Sequence, residues 1–226
     1  ILVDDFETGQ TQGSFGERKN RLDAFQGTWA RRPSYTVMTK VLDDRPGRVG
    51  YSLRMEYNKV GGWCGWYTLL NGIDVSKHNA LTFWVKGEHG GERFDIGMAD
   101  HEMQDLEIDA AYAGSVLAFL PQGVTTQWQQ VKVPLQGLRT SLNLSHLGSL
   151  VLWFRYEGKG AIQIDDVAFA YDEEVERLQI ENTPRAAHDP SSPRSMWVWK
   201  TDPVNKLDAR KELFSFSEKT AMSKFY

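Results

Sequence analysis

The chain has 226 residues, 41% of them hydrophobic, which is enough for one large domain or for one domain with part of another. A formal charge of −4 gives no electrostatic basis for partnership with nucleic acid or an acidic membrane surface. No apolar run of about eighteen residues exists to span a bilayer, and the single cysteine, Cys64, excludes an intrachain disulfide or a multi-cysteine zinc site.

From the N-terminus to about residue 171 the pattern is one of short strands between turns. Residues 51–58 alternate Leu53, Met55 and Tyr57 against Ser52, Arg54 and Glu56. Residues 80–87 set Leu81, Phe83 and Val85 against Thr82, Trp84 and Lys86, and residues 93–100 put Phe94, Ile96 and Met98 on one face. Residues 128–135 offer Val131 and Val133, 149–158 form a nearly continuous apolar run, and 161–170 close the set. Asn71-Gly72 and Pro121-Gln122-Gly123 mark turns, and helical periodicity is nearly absent. This spacing predicts an all-β sandwich or barrel. In "AIQIDDVAFA" (161–170), Asp165 and Asp166 should point to opposite faces, so one carboxylate needs compensation against the interior; simple alternation assigns the inward role to Asp166.

After Tyr171 the composition changes. Residues 172–194 are charged and then rich in proline and serine, and read as a linker. Residues 195–200 read as a strand, those near 207–219 as a helix and 221–226 as the start of another strand. A strand, helix and strand cannot bury their faces alone, so residues 195–226 are expected to begin a second α/β domain.

The ordered set "LVDDFETG", "GYSLRMEYNKVGGWCGWYTLL", "IDVSKHNALTFWVKGEHGGERFDIGMAD" and "WQQVKVPLQGL…LSHLGSLVLWFRYEGKGAIQIDDVAF" resembles the carbohydrate-binding modules of the galactose-binding-like superfamily, particularly those near family 11. The resemblance covers nearly all of residues 1–171 and implies a β-jelly-roll sandwich. The tail is similar to the opening of a glycoside-hydrolase-like (β/α)8 barrel. Together these resemblances imply a secreted or cell-surface bacterial protein in which a non-catalytic module targets an appended catalytic domain to β-glucan or a related polysaccharide. The alternative is a structural sandwich packed against a catalytic barrel, without sugar affinity of its own.

The resemblance also implies that the first and last strands are neighbours and that a structural Ca2+ sits between them. Its expected side-chain ligands are Glu7 and Asp166, then Asp165 and Asp5, with backbone carbonyls completing an oxygen shell. The same residues without a metal would pair with arginine or lysine.

Sugars offer apolar C–H faces and a ring of hydroxyls, so their binding surface needs outward aromatics beside hydrogen-bonding groups. Trp84, Trp66 and Arg155 are the first expectations, followed by Trp63, Tyr67, Asp100, His101 and Trp153; Trp29 and Tyr35 could serve a second site in edge loops. The chain carries no G-x-S-x-G, phosphate-binding glycine loop or H-E-x-x-H, and its five histidines show no metal-ligand spacing.

Overall fold

The computed structural model describes residues 1–8, 18–100, 110–182, 194–196 and 222–225. It separates into two units, Ile1–Glu181 and Asn182–Tyr226.

The first unit is a β-sandwich of two antiparallel six-stranded sheets, with strands numbered in chain order. One sheet runs β10 (Gln129–Pro134), β7 (Ala80–Gly87), β12 (Gly158–Ala170), β5 (Tyr51–Lys59), β4 (Tyr35–Leu42), with β1 (Leu2–Asp4) added along β12. The other runs β2 (Arg18–Lys19), β3 (Phe25–Ala30), β6 (Cys64–Ile73), β11 (Leu147–Trp153), β8 (Asp95–Ala99), β9 (Ala111–Ser115). The expected pairing of the chain's first and last strands is present: Leu2 lies opposite Ala168 and Asp4 opposite Val167.

Alternation puts Leu53, Met55 and Tyr57 of β5, Leu81, Phe83 and Val85 of β7, and Leu150 and Leu152 of β11 in the core. An aromatic column crosses this core from one sheet to the other. Tyr57 stacks on Phe154 with centroids 4.0 Å apart, Phe154 meets Phe94 edge-on at 6.4 Å, and Phe94 meets Phe83 at 6.4 Å. Burial pushes the Tyr57 phenol up to about 12.

Strand β12 departs from simple alternation. Its large buried apolar residues are Ile162, Ile164, Val167 and Phe169, a spacing of two, three and two. A bulge between Asp165 and Ala168, with Asp166 at φ +49°, inserts the extra residue. This corrects the inward assignment of Asp166. Asp165 is the fully buried one, at 0% exposure. It lies opposite Trp84, on the side away from Ile162 and Ile164, so neither acid enters the apolar core.

The first part of the stretch expected as a linker, 172–194, holds a helix, Glu173–Asn182. Asp172 caps it, accepting hydrogen bonds from the Glu174 and Val175 N–H groups, both at 3.0 Å. Three glutamates in the first turn suit the positive end of the helix dipole, and Val175 is buried.

In the second unit, β13 (Arg194–Met196) and β14 (Met222–Phe225) pair in parallel. The helix expected near 207–219 lies outside the described residues.

The aromatic column predicts a large cost for its central ring. Phe154→Ala should lower unfolding free energy by about 3–5 kcal/mol in urea titrations, while Phe25→Ala, at a position 50% exposed, should stay within about 0.5 kcal/mol.

Candidate functional site

The outer face of the second sheet combines flat aromatic rings with glycine. Inward-facing Trp66, Leu70, Leu150, Leu152, Ile96 and Met98 leave their neighbours Tyr67, Val151, Trp153, Asp95 and Gly97 to point outward. Cross-strand pairing then builds two adjacent rows. One contains Gly27, Tyr67, Val151, Gly97 and Tyr112; the other contains Trp29, Gly65, Trp153, Asp95 and Ser115.

Each glycine in these rows is covered by a ring from another strand. A Cβ at Gly65 would lie 2.4 Å from the Trp29 ring, one at Gly97 2.4 Å from the Trp153 ring, and one at Gly27 3.1 Å from the Tyr67 hydroxyl. The rings therefore lie low across the sheet. Trp29 and Trp153 occupy strands two apart, a separation of about 10 Å, with Tyr67 beside Trp29 at 6.4 Å between centroids.

Polar groups stand among the rings. The Arg155 guanidinium sits 4.6 Å from the Trp153 centroid and 6.0 Å from that of Tyr112, and its Nε lies 3.5 Å from Asp95 Oδ2. The Asp95 carboxyl is buried beside the Ser115 hydroxyl and the Tyr156 phenol. Burial raises the Asp95 pKa, against the lowering effect of Arg155. The face thus offers apolar plates and a cation that is 55% exposed at its side chain, with the Asp95 carboxylate buried beside it.

The expected sugar-binding residues divide among several environments. Tyr67, Trp153 and Arg155 share the second sheet's outer face. Trp29 joins them from β3 rather than from an edge loop, and Tyr35 belongs to β4 of the first sheet. Trp66 is corrected: it is 1% exposed and belongs to the core, because it shares the parity of Cys64, Thr68 and Leu70. Trp84 lies on the first sheet, paired opposite Asp165 and Gln130. Trp63 is half-exposed before β6, with Arg31 5.3 Å from its ring centroid. Asp100 follows β8 and accepts a 3.0 Å hydrogen bond from the Asn143 N–H; His101 lies outside the described residues. Sequence reasoning missed Asp95, Tyr112 and Ser115. The readable signal was glycine at 27, 65 and 97 within apolar strands, since a strand glycine marks close approach by another group.

The four residues expected to hold calcium do not converge. Asp5 receives two hydrogen bonds from Arg21, at 2.7 and 2.8 Å. Glu7 Oε1 accepts from the Tyr51 N–H at 3.0 Å, and the Glu7 carbonyl accepts from Lys40 at 2.8 Å. Asp165 pairs with Arg45, and Asp166 with both Arg45 (2.9 Å) and Arg48 (2.5 Å). Among the described residues no group of three or more His, Cys, Asp or Glu could hold a metal ion. As placed, this donor set does not fit a cation: guanidinium groups pair with Asp5, Asp165 and Asp166, and a backbone N–H with Glu7. Asp43 completes the cluster, 2.6 Å from Arg45. Three carboxylates face two guanidiniums, and burial raises the Asp165 pKa, helped by the Asp166 charge and opposed by Arg45.

Residues 6–171 match the model of the family described as carbohydrate binding domain 30. The chain belongs to this family. Members are normally non-catalytic binding modules, which agrees with the sandwich and its aromatic face. The family 11 carbohydrate-binding module of a cellulosomal cellulase of Clostridium thermocellum is similar in fold, at TM-score 0.55 and 14% identity over 76% of this chain and 94% of that one. A family 11 module from the same organism, solved with a β-1,3-1,4-mixed-linked tetrasaccharide, gives TM-score 0.54 and 14% identity over 76% and 96%. The family 30 module of another Clostridium thermocellum cellulosomal cellulase is 24% identical over 76% and 99%, at TM-score 0.49. No curated protein matches the chain.

The arginine cluster makes two linked predictions. Arg45→Ala should cost about 3 kcal/mol by removing the cation that Asp43, Asp165 and Asp166 share, which lowers the melting temperature by roughly 6–12 °C, while a chelator should leave the wild-type melt unchanged. Asp165 keeps its proton in the folded chain over a pH range where the unfolded chain has lost it. Its contribution to stability is therefore full below the ordinary carboxylate range and declines as pH rises through the raised folded value. Asp165→Asn should flatten that decline in melts measured from pH 4 to pH 9.

Proposed function

We propose that this module holds a β-glucan or closely related polysaccharide on the outer face of its second sheet, with Trp29, Tyr67, Trp153 and Tyr112 as stacking plates. The observation that carries the reading is the glycine floor beneath three of these rings. It keeps the plates low and rigid, so stacking on sugar C–H faces costs little conformational entropy. Arg155, held in place by Asp95, donates to ring hydroxyls. The tetrasaccharide bound by the family 11 module supports a glucan-type ligand.

In this reading the chain performs no chemistry. It serves an appended polysaccharide-degrading domain by keeping it at the surface of its substrate, outside a bacterial cell. The cellulosomal origin of its structural neighbours supports that setting.

Affinity electrophoresis through gels containing soluble mixed-linkage β-glucan, xyloglucan, xylan or mannan should retard the wild-type chain in at least one gel. Trp153→Ala should abolish most of that retardation while the melt stays close to wild type. Gly97→Ala has no strained backbone to contend with, yet should weaken binding about tenfold by tilting Trp153 off the sheet, a loss of ~1.4 kcal/mol. Retention unchanged in both variants would count against this face. Because only an ionised Asp95 pairs with the Arg155 guanidinium and holds it at the face, affinity should fall as pH drops through a range above the ordinary carboxylate value, and Asp95→Asn should remove that dependence.

A further inference from the structure

We infer that the opposite face of the sandwich carries a second groove for a neutral, hydroxyl-rich chain, so that one module grips two glycan strands. The inference rests on the glycan-binding reading above, but on different residues. A groove of about 510 Å³ on the first sheet is walled by the 44–48 segment and by Thr126–Trp128, with Trp84 and Lys86 between them. It shares Lys86 and Thr126 with a second groove of about 260 Å³, which reaches Arg54 and Glu88. The two adjoin across β7 and β12, with Lys86 and Thr126 between them.

Its chemistry selects the ligand class. The cations Arg45, Arg48, Arg54 and Lys86 are each matched by acids: Arg45 and Arg48 by Asp43, Asp165 and Asp166, Arg54 by Glu88 at 2.9 Å, and Lys86 by Asp44. Four cations against five acids leave no positive excess for a phosphate or a sulfated chain. Matched pairs instead offer fixed donors and acceptors side by side, which suits vicinal hydroxyls. Two half-buried indoles supply the apolar contact. Arg45 lies 5.4 Å from the Trp84 centroid and 5.2 Å from that of Trp128. Trp128 is further held by its Nε1–H, which donates to Asp44 at 2.7 Å. The rings are thus fixed before any ligand arrives, which lowers the ordering cost of binding.

This groove and the Trp153 face lie on opposite sheets, so both can be filled at once. Calorimetry with the whole chain and a β-1,3-1,4-linked glucan tetrasaccharide, together with indole N–H shifts by NMR, tests this directly. The wild type should take up two tetrasaccharides. Trp153→Ala should retain one, with shifts confined to Trp84 and Trp128. Adding Trp128→Ala should weaken that remaining event at least about tenfold, with an unchanged circular dichroism spectrum. One tetrasaccharide on the wild type, none on Trp153→Ala, and still indoles at Trp84 and Trp128 would overturn the second groove and leave the first face standing. A folded wild type that binds neither the tetrasaccharide nor any polysaccharide of the panel would overturn both.

Discussion

Asp165 is fully buried beside Trp84, and a carboxylate in that position persists only with a cation or a proton beside it. Burial favours the proton on Asp165, Arg45 supplies the cation for the acids around it, and the placement of Arg45 organises one side of the molecule. The guanidinium holds the 43–48 segment down over β12 and β7 by pairing with Asp43, Asp165 and Asp166. The same group lies against Trp84 and Trp128. The loop, the central strand and both indoles are therefore one interlocked structure. Strand β12 also pairs with β1, β5 and β7, so an uncompensated charge at Asp165 would disturb the strand on which the first sheet depends.

The second sheet follows a different logic. Among the described residues its outer face carries the Asp95–Arg155 pair. Glycine on neighbouring strands is what allows Trp29, Tyr67 and Trp153 to lie across the sheet. Each strand glycine weakens its strand by lost packing and by chain entropy. That cost makes sense where the rings must present a level surface to a ligand, and it is offset by the apolar inner face that the same strands bury.

Much of the fold was legible in the pattern of residues. The alternation at 51–58, 80–87 and 93–98 reports directly which residues face the core, because a side chain in a strand has only two directions. The bulge in β12 was also written there, in the two-three-two spacing of Ile162, Ile164, Val167 and Phe169, although regular alternation pointed to the wrong aspartate. The helix at Glu173–Asn182 carried its own signal in Asp172 and the three glutamates after it; overall composition concealed it. Parity likewise separates Trp66 from Tyr67, and counting from Leu70 assigns Trp66 to the core.

Local sequence determined the strands, their inward residues and the class of surface: aromatic, polar and weakly charged. Only the tertiary structure decided which of those residues meet. Trp29, Tyr67, Trp153 and Tyr112 come from four strands spread over more than eighty residues, and they share a face because of strand order in the sheet, which alternation does not encode. Trp84 has the same local pattern as Trp153 but belongs to the other sheet. The partner of Asp165 is equally remote, since Arg45 lies 120 residues earlier in the chain. Periodicity reports the direction of a side chain, whereas its neighbours depend on long-range pairing, and pairing is settled by the packing of the whole sandwich.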